Sequence, residues 1–271
     1  MNIFVYGTLL KGLERESALM KSEYSGPAMI QSQLFDTGYF PGVKEGANTI
    51  VGELYKADSE TIDVLDRIEG YDEKNMRDSL FIRKQIQARL FANGRYVTSF
   101  CYFFNRAEVK HEIPHGDYRR YILEKETDKQ WILAYGSNMN SARLVQRIGP
   151  PDSLRKGYVE GFRLVFNKKA QKAQAAYANI AFSGDNVKCP AVAYRITSHQ
   201  LNLLDQYEGT SDHYLRISLP FHAIDGNDTI VQAYIAHPDQ LVDGQKPESE
   251  YLEHIQKGYE EHGFELGYLI C

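Results

Sequence analysis

The chain has 271 residues, 43% hydrophobic and 25% charged, with a net charge of −5. That length fits two domains of ordinary size, and that balance is the one found in soluble globular proteins. The acidic excess argues against a nucleic-acid footprint, no run reaches the ~18 apolar residues of a membrane span, and the N-terminus has neither the basic region nor the apolar core of a signal peptide.

Residues 2–6 read as a short buried strand, apolar and β-branched or aromatic, broken by Gly7. Residues 11–22 have helical composition, and residues 50–56 alternate as a strand. Asp58 or Ser59 can cap a helix that carries Ile62, Leu65 and Ile68 on one face and ends at Glu69-Gly70. Residues 81–91 and 96–104 read as strands around the turn Ala92-Asn93-Gly94. A helix over 117–125 closes the first half, which places a domain boundary between 127 and 128. The second half repeats the plan. A strand over 131–135 leads into a Gly-Ser-Asn loop and a helix over 141–148. Strands over 161–166 and 192–196 precede a Ser198-capped helix, 200–207, that ends at Glu208-Gly209. Strands over 214–220 and 229–236 and a terminal helix over 247–262 complete it. Strands and helices are interspersed without strict alternation, so two tandem α+β domains are expected, 1–127 and 128–271.

The repeat is explicit in two strings. Residues 4–10, FVYGTLL, return as residues 132–140, ILAYGSNMN; residues 64–71, VLDRIEGY, return as residues 203–210, LLDQYEGT. Tyr6 and Tyr135 lie 129 positions apart, and Glu69 and Glu208 lie 139 apart. Such a period means duplicated domains, because solenoid repeats run roughly 20–50 residues. A strand that stops at Gly and turns toward a helix leaves backbone amides without partners, a ready site for a carboxylate or phosphate. No Walker or dinucleotide glycine pattern accompanies it, so phosphate is disfavoured. Asp66 with Glu69, and Asp205 with Glu208, stand three apart on one helix face, near a C-terminus whose dipole opposes them. Each string alone also fits a plain turn or a solvated helix end, with an Asp paired to an Arg. Both strings, in the same order and twice, point to a site. Arg216 reads either as a partner for Asp205 or as a solvated strand residue, and Arg83 is its counterpart.

Other features carry less. Cys101, Cys189 and Cys271 share no short spacing, which fits a reduced compartment, the cytoplasm. The eight histidines form no metal-binding pattern. The pairs Lys168-Lys169 and Arg119-Arg120 read as solvated faces.

These residues resemble the γ-glutamylcyclotransferase-like superfamily in both halves. The first half, with FVYGTL and IPHGDYRRY, is most similar to the γ-glutamylamine cyclotransferase and AIG2-like branch. The second, with AYGSNM, YEGTSDHYLR and PESEYLEHIQKGYEEHG, is similar to γ-glutamylcyclotransferase proper. The resemblance implies a small mixed β-barrel with flanking helices in each half. It implies a reaction free of metal and cofactor, in which a γ-glutamyl amide or peptide closes to 5-oxoproline and frees an amine or amino acid. It assigns the acid/base role to Glu69 and Glu208. Contact with the γ-glutamyl substrate falls to Tyr6, Gly7, Thr8 and Leu9, to Tyr135, Gly136, Ser137 and Asn138, and to Tyr251. A carboxylate base of ordinary pKa, near 4.3, deprotonates an ammonium poorly; burial among aromatics, Tyr207 and Tyr214 in one half and Tyr71 and Phe81 in the other, raises it. The first half departs by having Thr8-Leu9 for Ser137-Asn138 and Phe81 for Tyr214. Two other readings stand beside this one: a non-catalytic small-ligand binding module, and removal of a γ-glutamyl protecting group in a biosynthetic route.

Overall fold

The computed structural model describes residues 1–170 and 174–269; Cys271 lies outside them. The chain divides into two compact units, Met1–Tyr121 and Ile122–Cys271.

The first unit holds β1 (Asn2–Val5), β2 (Glu23–Asp36), β3 (Pro41–Lys56), α1 (Ser59–Glu69), β4 (Phe81–Leu90), β5 (Tyr96–Phe104) and β6 (His111–Glu112), and ends within α2 (Tyr118–Glu126). The pairings form a ring. β1 lies antiparallel to β3 and parallel to β5 at Ile3 and Phe100. β5 pairs with β4, β4 with β2 through Ala28 and Met29, and β2 with β3, which closes the barrel. Its interior is filled by Phe4, Leu34, Val43, Ile50, Leu54 and Ala88.

The second unit repeats the ring with β7 (Lys129–Ala134), α3 (Ser141–Ile148), β8 (Ser153–Glu160), β9 (Phe162–Lys169), β10 (Ala176–Phe182), β11 (Lys188–Thr197), α4 (Ser198–Glu208), β12 (Tyr214–Ala223), β13 (Thr229–Ala236) and α5 (Ser249–His262). β7 is antiparallel to β11 and parallel to β13 at Ile132 and Gln232. β12 and β8 complete the closed barrel, while β9 and β10 form a separate hairpin. Each barrel has a parallel contact from its first strand, at Ile3 and at Ile132, each at the same offset before its Tyr-Gly pair; the first barrel has a further one between β3 and β5, at Val43 and Phe103. The α+β architecture of two tandem mixed barrels is therefore present as expected.

Local departures have physical causes. Residues 11–22 hold only a single 3-10 turn, Glu16–Leu19. Gly12 sits at φ +79°, and the Lys11 amide donates to the Glu53 carboxylate instead of starting a helix. β2, β8 and β10 were not anticipated. β2 is buried along most of both faces, so it lacks alternation, and a bulge beside Gly26-Pro27 masks its start. α4 is capped by Thr197 rather than Ser198: Thr197 and Gln200 form a reciprocal capping box, and Ser198 donates to the Asp128 carbonyl.

Arg119 is not solvated either. It is 2% exposed and meets the fully buried Glu53 at 2.9 Å. It also donates to the Lys11 carbonyl at 2.9 Å, so this ion pair pins the chain just after the first glycine turn. Arg119→Met should leave Glu53 buried and uncompensated, costing about 3–5 kcal/mol. Denaturant unfolding of the first unit reads this directly; a change below about 1 kcal/mol contradicts it.

Candidate active site

Each barrel opens beside its glycine turn. Gly7 follows β1, and a Cβ built there would lie 2.7 Å from Pro41 Cγ; at Gly136, after β7, it would lie 3.0 Å from the Ala178 Cβ. Only glycine lets these walls approach so closely. Leu10 donates to the Gly7 carbonyl and Met139 to that of Gly136, each at 2.9–3.0 Å, which tightens both turns. Among the described residues, no hydrogen bond within the fold uses the amides of Thr8 and Leu9 or of Ser137 and Asn138.

The two glutamates arrive on helices with the same ending. α1 and α4 stop at Gly70 and Gly209, both left-handed (φ +61°), leaving Glu69 and Glu208 on the last turn. One turn earlier, Asp66 takes both carboxylate oxygens to Arg83, at 2.9 and 3.1 Å, and accepts from the Tyr102 hydroxyl at 2.6 Å. Asp205 accepts from the Tyr234 hydroxyl at 2.7 Å and lies 3.1 Å from Arg216 Nε. The Asp–Arg pairs are thus present, joined by a tyrosine in each half. The same tyrosines reach the glycine turns: Tyr6 donates to the Tyr102 carbonyl, and Tyr135 to the Tyr234 carbonyl. One strand residue therefore ties the glycine turn to the glutamate helix in each barrel.

The surroundings of the two carboxyls differ. Glu69 shares a cavity of about 40 Å³ with Tyr6, Gly7, Thr8, Leu9 and an apolar wall that includes Phe40 and Phe81. Burial pushes its pKa up to about 7, opposed by Arg15. Glu208 sits between a crevice of about 30 Å³, lined by Tyr135, Gly136, Ser137, Asn138 and Tyr251, and a cavity of about 320 Å³. Burial raises its pKa as well, but Arg147 and Asn138 oppose it. Asn138 donates to Glu208 Oε1 at 3.0 Å, and Arg147 bridges Asn138 at 2.7 Å and Glu208 at 3.3 Å. Leu9 stands where Asn138 stands, so the first glutamate lacks this donor.

Tyr6, Gly7, Thr8 and Leu9 line the cavity of Glu69, and Tyr135, Gly136, Ser137, Asn138 and Tyr251 the crevice of Glu208. The Tyr6 and Tyr135 hydroxyls are committed inside the barrel, which leaves rings and backbone facing the space. Tyr251, on α5, accepts from the Ala178 amide at 3.1 Å. In the first half that wall is Pro41, which has no amide hydrogen to offer. The aromatic shields differ in part from expectation. Tyr207 is 58% exposed and lies over Arg147, and Tyr71 packs on Arg83 and Tyr102. Lys168 is buried in the second cavity while Lys169 is exposed, since adjacent strand residues face opposite ways. Arg143 and Arg147 were also missed; their spacing of four on the helix after the glycine turn was the available signal. Among the described residues, no three His, Cys, Asp or Glu side chains are placed to hold a metal ion, and no helix is long and apolar enough to cross a membrane. Cys101 and Cys189 are free and buried.

Comparison with known proteins agrees with the duplication. The family profile described as gamma-glutamyl cyclotransferase, AIG2-like, matches residues 3–120 and again 132–256. YkqA from Bacillus subtilis shares the fold along 96% of this chain and 91% of its own, with a TM-score of 0.72 at 22% identity. A Vibrio cholerae protein named, provisionally, a gamma-glutamylcyclotransferase is 34% identical over 80 residues, 29% of this chain and 70% of that protein. The gamma-glutamylcyclotransferase family protein YtfP of Escherichia coli K12 is 33% identical over 69 residues, 25% of this chain and 61% of that protein.

Because Glu69 binds its proton more tightly in the folded chain than at the ordinary value of 4.5, ionising it opposes folding. The penalty is absent below about 4.5, grows as pH rises, and is complete above about 7. Glu69→Gln should therefore stabilise the protein at pH 8 by up to about 3 kcal/mol and leave it unchanged near pH 4.5. Urea midpoints at the two pH values test this; a difference independent of pH contradicts it.

Proposed function

Since the chain belongs to the gamma-glutamyl cyclotransferase, AIG2-like family in both halves, we propose that each half, 1–127 and 128–271, cyclises a γ-glutamyl amide or peptide to 5-oxoproline. The observation that carries this reading is the shared cavity in each barrel, where one raised carboxyl faces a glycine turn with uncommitted amides.

The steps follow from the groups present. The turn amides of Thr8-Leu9 and Ser137-Asn138 grip the glutamyl end. The ionised glutamate takes a proton from the substrate's α-ammonium, and the freed amine attacks the γ-carbonyl carbon. A C–N bond forms and the five-membered ring closes; the bond to the leaving nitrogen breaks as the glutamic acid returns its proton to that nitrogen, and the ring nitrogen gives up its second proton to solvent. Attack is intramolecular, so holding the chain curled supplies most of the acceleration, up to ~7–11 kcal/mol in favourable cases. Desolvation makes Glu69 and Glu208 stronger bases than a surface carboxylate, and at about 7 Glu69 keeps enough of its ionised form at neutral pH. A cavity of about 40 Å³ in the first half encloses only the reacting end of such a substrate; the leaving group extends beyond it.

Glu69→Gln with Glu208→Gln should lower 5-oxoproline release from γ-glutamyl dipeptides by about 10²–10⁴-fold with the fold intact. With Glu208→Gln alone, the remaining activity should rise with pH through about 7, because the base works ionised. Chromatographic assay of 5-oxoproline tests both. Undiminished turnover in the double variant ends the proposal, and a rate flat from pH 6 to pH 8 removes Glu69 as the base.

A further inference from the structure

Arg216 holds Asp205, and through it the end of the helix that carries Glu208. It is itself held by a residue ahead of the second barrel's first strand. Its Nε lies 3.1 Å from Asp205 Oδ1, while its Nη1 donates to Glu124 Oε1 at 3.2 Å and to the side-chain oxygen of Gln232. Glu124 stands on the last turn of α2, before β7 begins. The compact division of the chain falls between Tyr121 and Ile122, so Glu124 belongs to the second unit.

The same stretch makes two further attachments. Gln130 donates to the Leu123 and Thr127 carbonyls at 3.2 and 2.7 Å and accepts from Gln232 at 3.2 Å. Gln232, fully buried, is the residue that shares Arg216 Nη1 with Glu124. The Asp128 carbonyl accepts from the Ser198 amide at 3.0 Å and from the Ser198 hydroxyl at 2.8 Å, at the start of α4. Residues 123–130 therefore meet the glutamate helix at its beginning, through Asp128, and secure its end, through Arg216 and Asp205.

The first half secures its helix without such a stretch. Arg83 spends one nitrogen on both Asp66 oxygens and lies over the rings of Tyr71 and Phe100, at 5.2 and 5.7 Å. Among the described residues, no second carboxylate meets it. A guanidinium presents its donors in a rigid fork. A carboxylate at Nη1 therefore settles how Nε is offered to Asp205. We infer that Glu124 is a positioning residue of the second active site, setting Asp205 through Arg216 and so the aim of Glu208. This rests on the reading of Glu208 as the acid/base. The working second module then starts at or before Glu124, ahead of the boundary between 127 and 128 that the sequence suggests.

The test uses the full chain carrying Glu69→Gln, so that 5-oxoproline release from γ-glutamyl-alanine reports the second half. At a temperature where both proteins are fully folded, Glu124→Ala should lower kcat about tenfold, as a small misplacement of a reacting group does. KM should change by less than about twofold, because Glu124 touches no substrate. The Glu124 side chain is 32% exposed, and Glu124→Gln, which keeps an acceptor, serves with a smaller loss if the alanine variant does not fold. Hydrogen exchange supplies a readout independent of turnover. The Gly209 and Thr210 amides, which close the end of α4 on the Gln206 and Asp205 carbonyls, should exchange about tenfold faster in Glu124→Ala, while the β7–β11 ladder keeps its rate. An active parent whose kcat is untouched by Glu124→Ala overturns this inference alone. Exchange that rises equally everywhere, or nowhere, overturns it as well, since Glu124 would then add only general stability. Placed on top of Asp205→Asn, Glu124→Ala should add less than about twofold in either measurement; an undiminished effect overturns the route through Arg216. A parent that releases no 5-oxoproline overturns the reading of Glu208 as the acid/base, and the positioning role with it.

Discussion

The arrangement depends on an aspartate one helical turn before each glutamate. Asp66 and Asp205 are fixed by an arginine from the following strand and a tyrosine hydroxyl from the strand after that. The aspartate's fixed position sets the end of the helix, and the glycine cap then aims the glutamate at the barrel mouth. The backbone carbonyl of the same tyrosine accepts from the Tyr of the Tyr-Gly pair. A glycine turn and a carboxyl more than sixty residues apart in sequence are thus held by one shared residue, Tyr102 or Tyr234. Mostly buried, and with one Arg83 nitrogen reaching both Asp66 oxygens in the first half, such an ion pair serves geometry as much as stability.

Within that common frame, single positions adjust the chemistry. Asn138 and Arg147 give Glu208 a donor and a cation, which oppose, without cancelling, the rise in pKa that burial causes. Leu9 gives Glu69 neither, and burial carries it to about 7. The walls diverge in the same sense, polar and roomy in the second half, apolar and narrow in the first. Duplication followed by divergence of the lining is the simplest account of two barrels that share strand order yet differ in charge around the carboxyl.

Much of this was legible in the residues. The two strings, their order and their recurrence gave the duplication, both glutamates, both glycine turns and the Asp–Arg pairs. Both glutamate helices were readable because cap, apolar face and terminal Gly all agree. What escaped was what period and propensity do not encode. β2 shows no alternation because both faces are buried. Residues 11–22 look helical, but Gly12 and the pull of Glu53 on the Lys11 amide decide otherwise. Lys168 and Arg119 looked like surface charges beside their neighbours Lys169 and Arg120. Only the tertiary fold shows that one member of each pair turns inward, Arg119 to a buried carboxylate and Lys168 to a cavity.

The central claim is that the fold holds a carboxyl out of water against the glycine turn and so brings its proton affinity into the neutral range. Carbon-13 NMR titration of the Glu69 side-chain carboxyl, assigned by its loss in Glu69→Gln, measures this directly. The account predicts a midpoint near 7. A midpoint near 4.5, the value of a solvated glutamate, would contradict it.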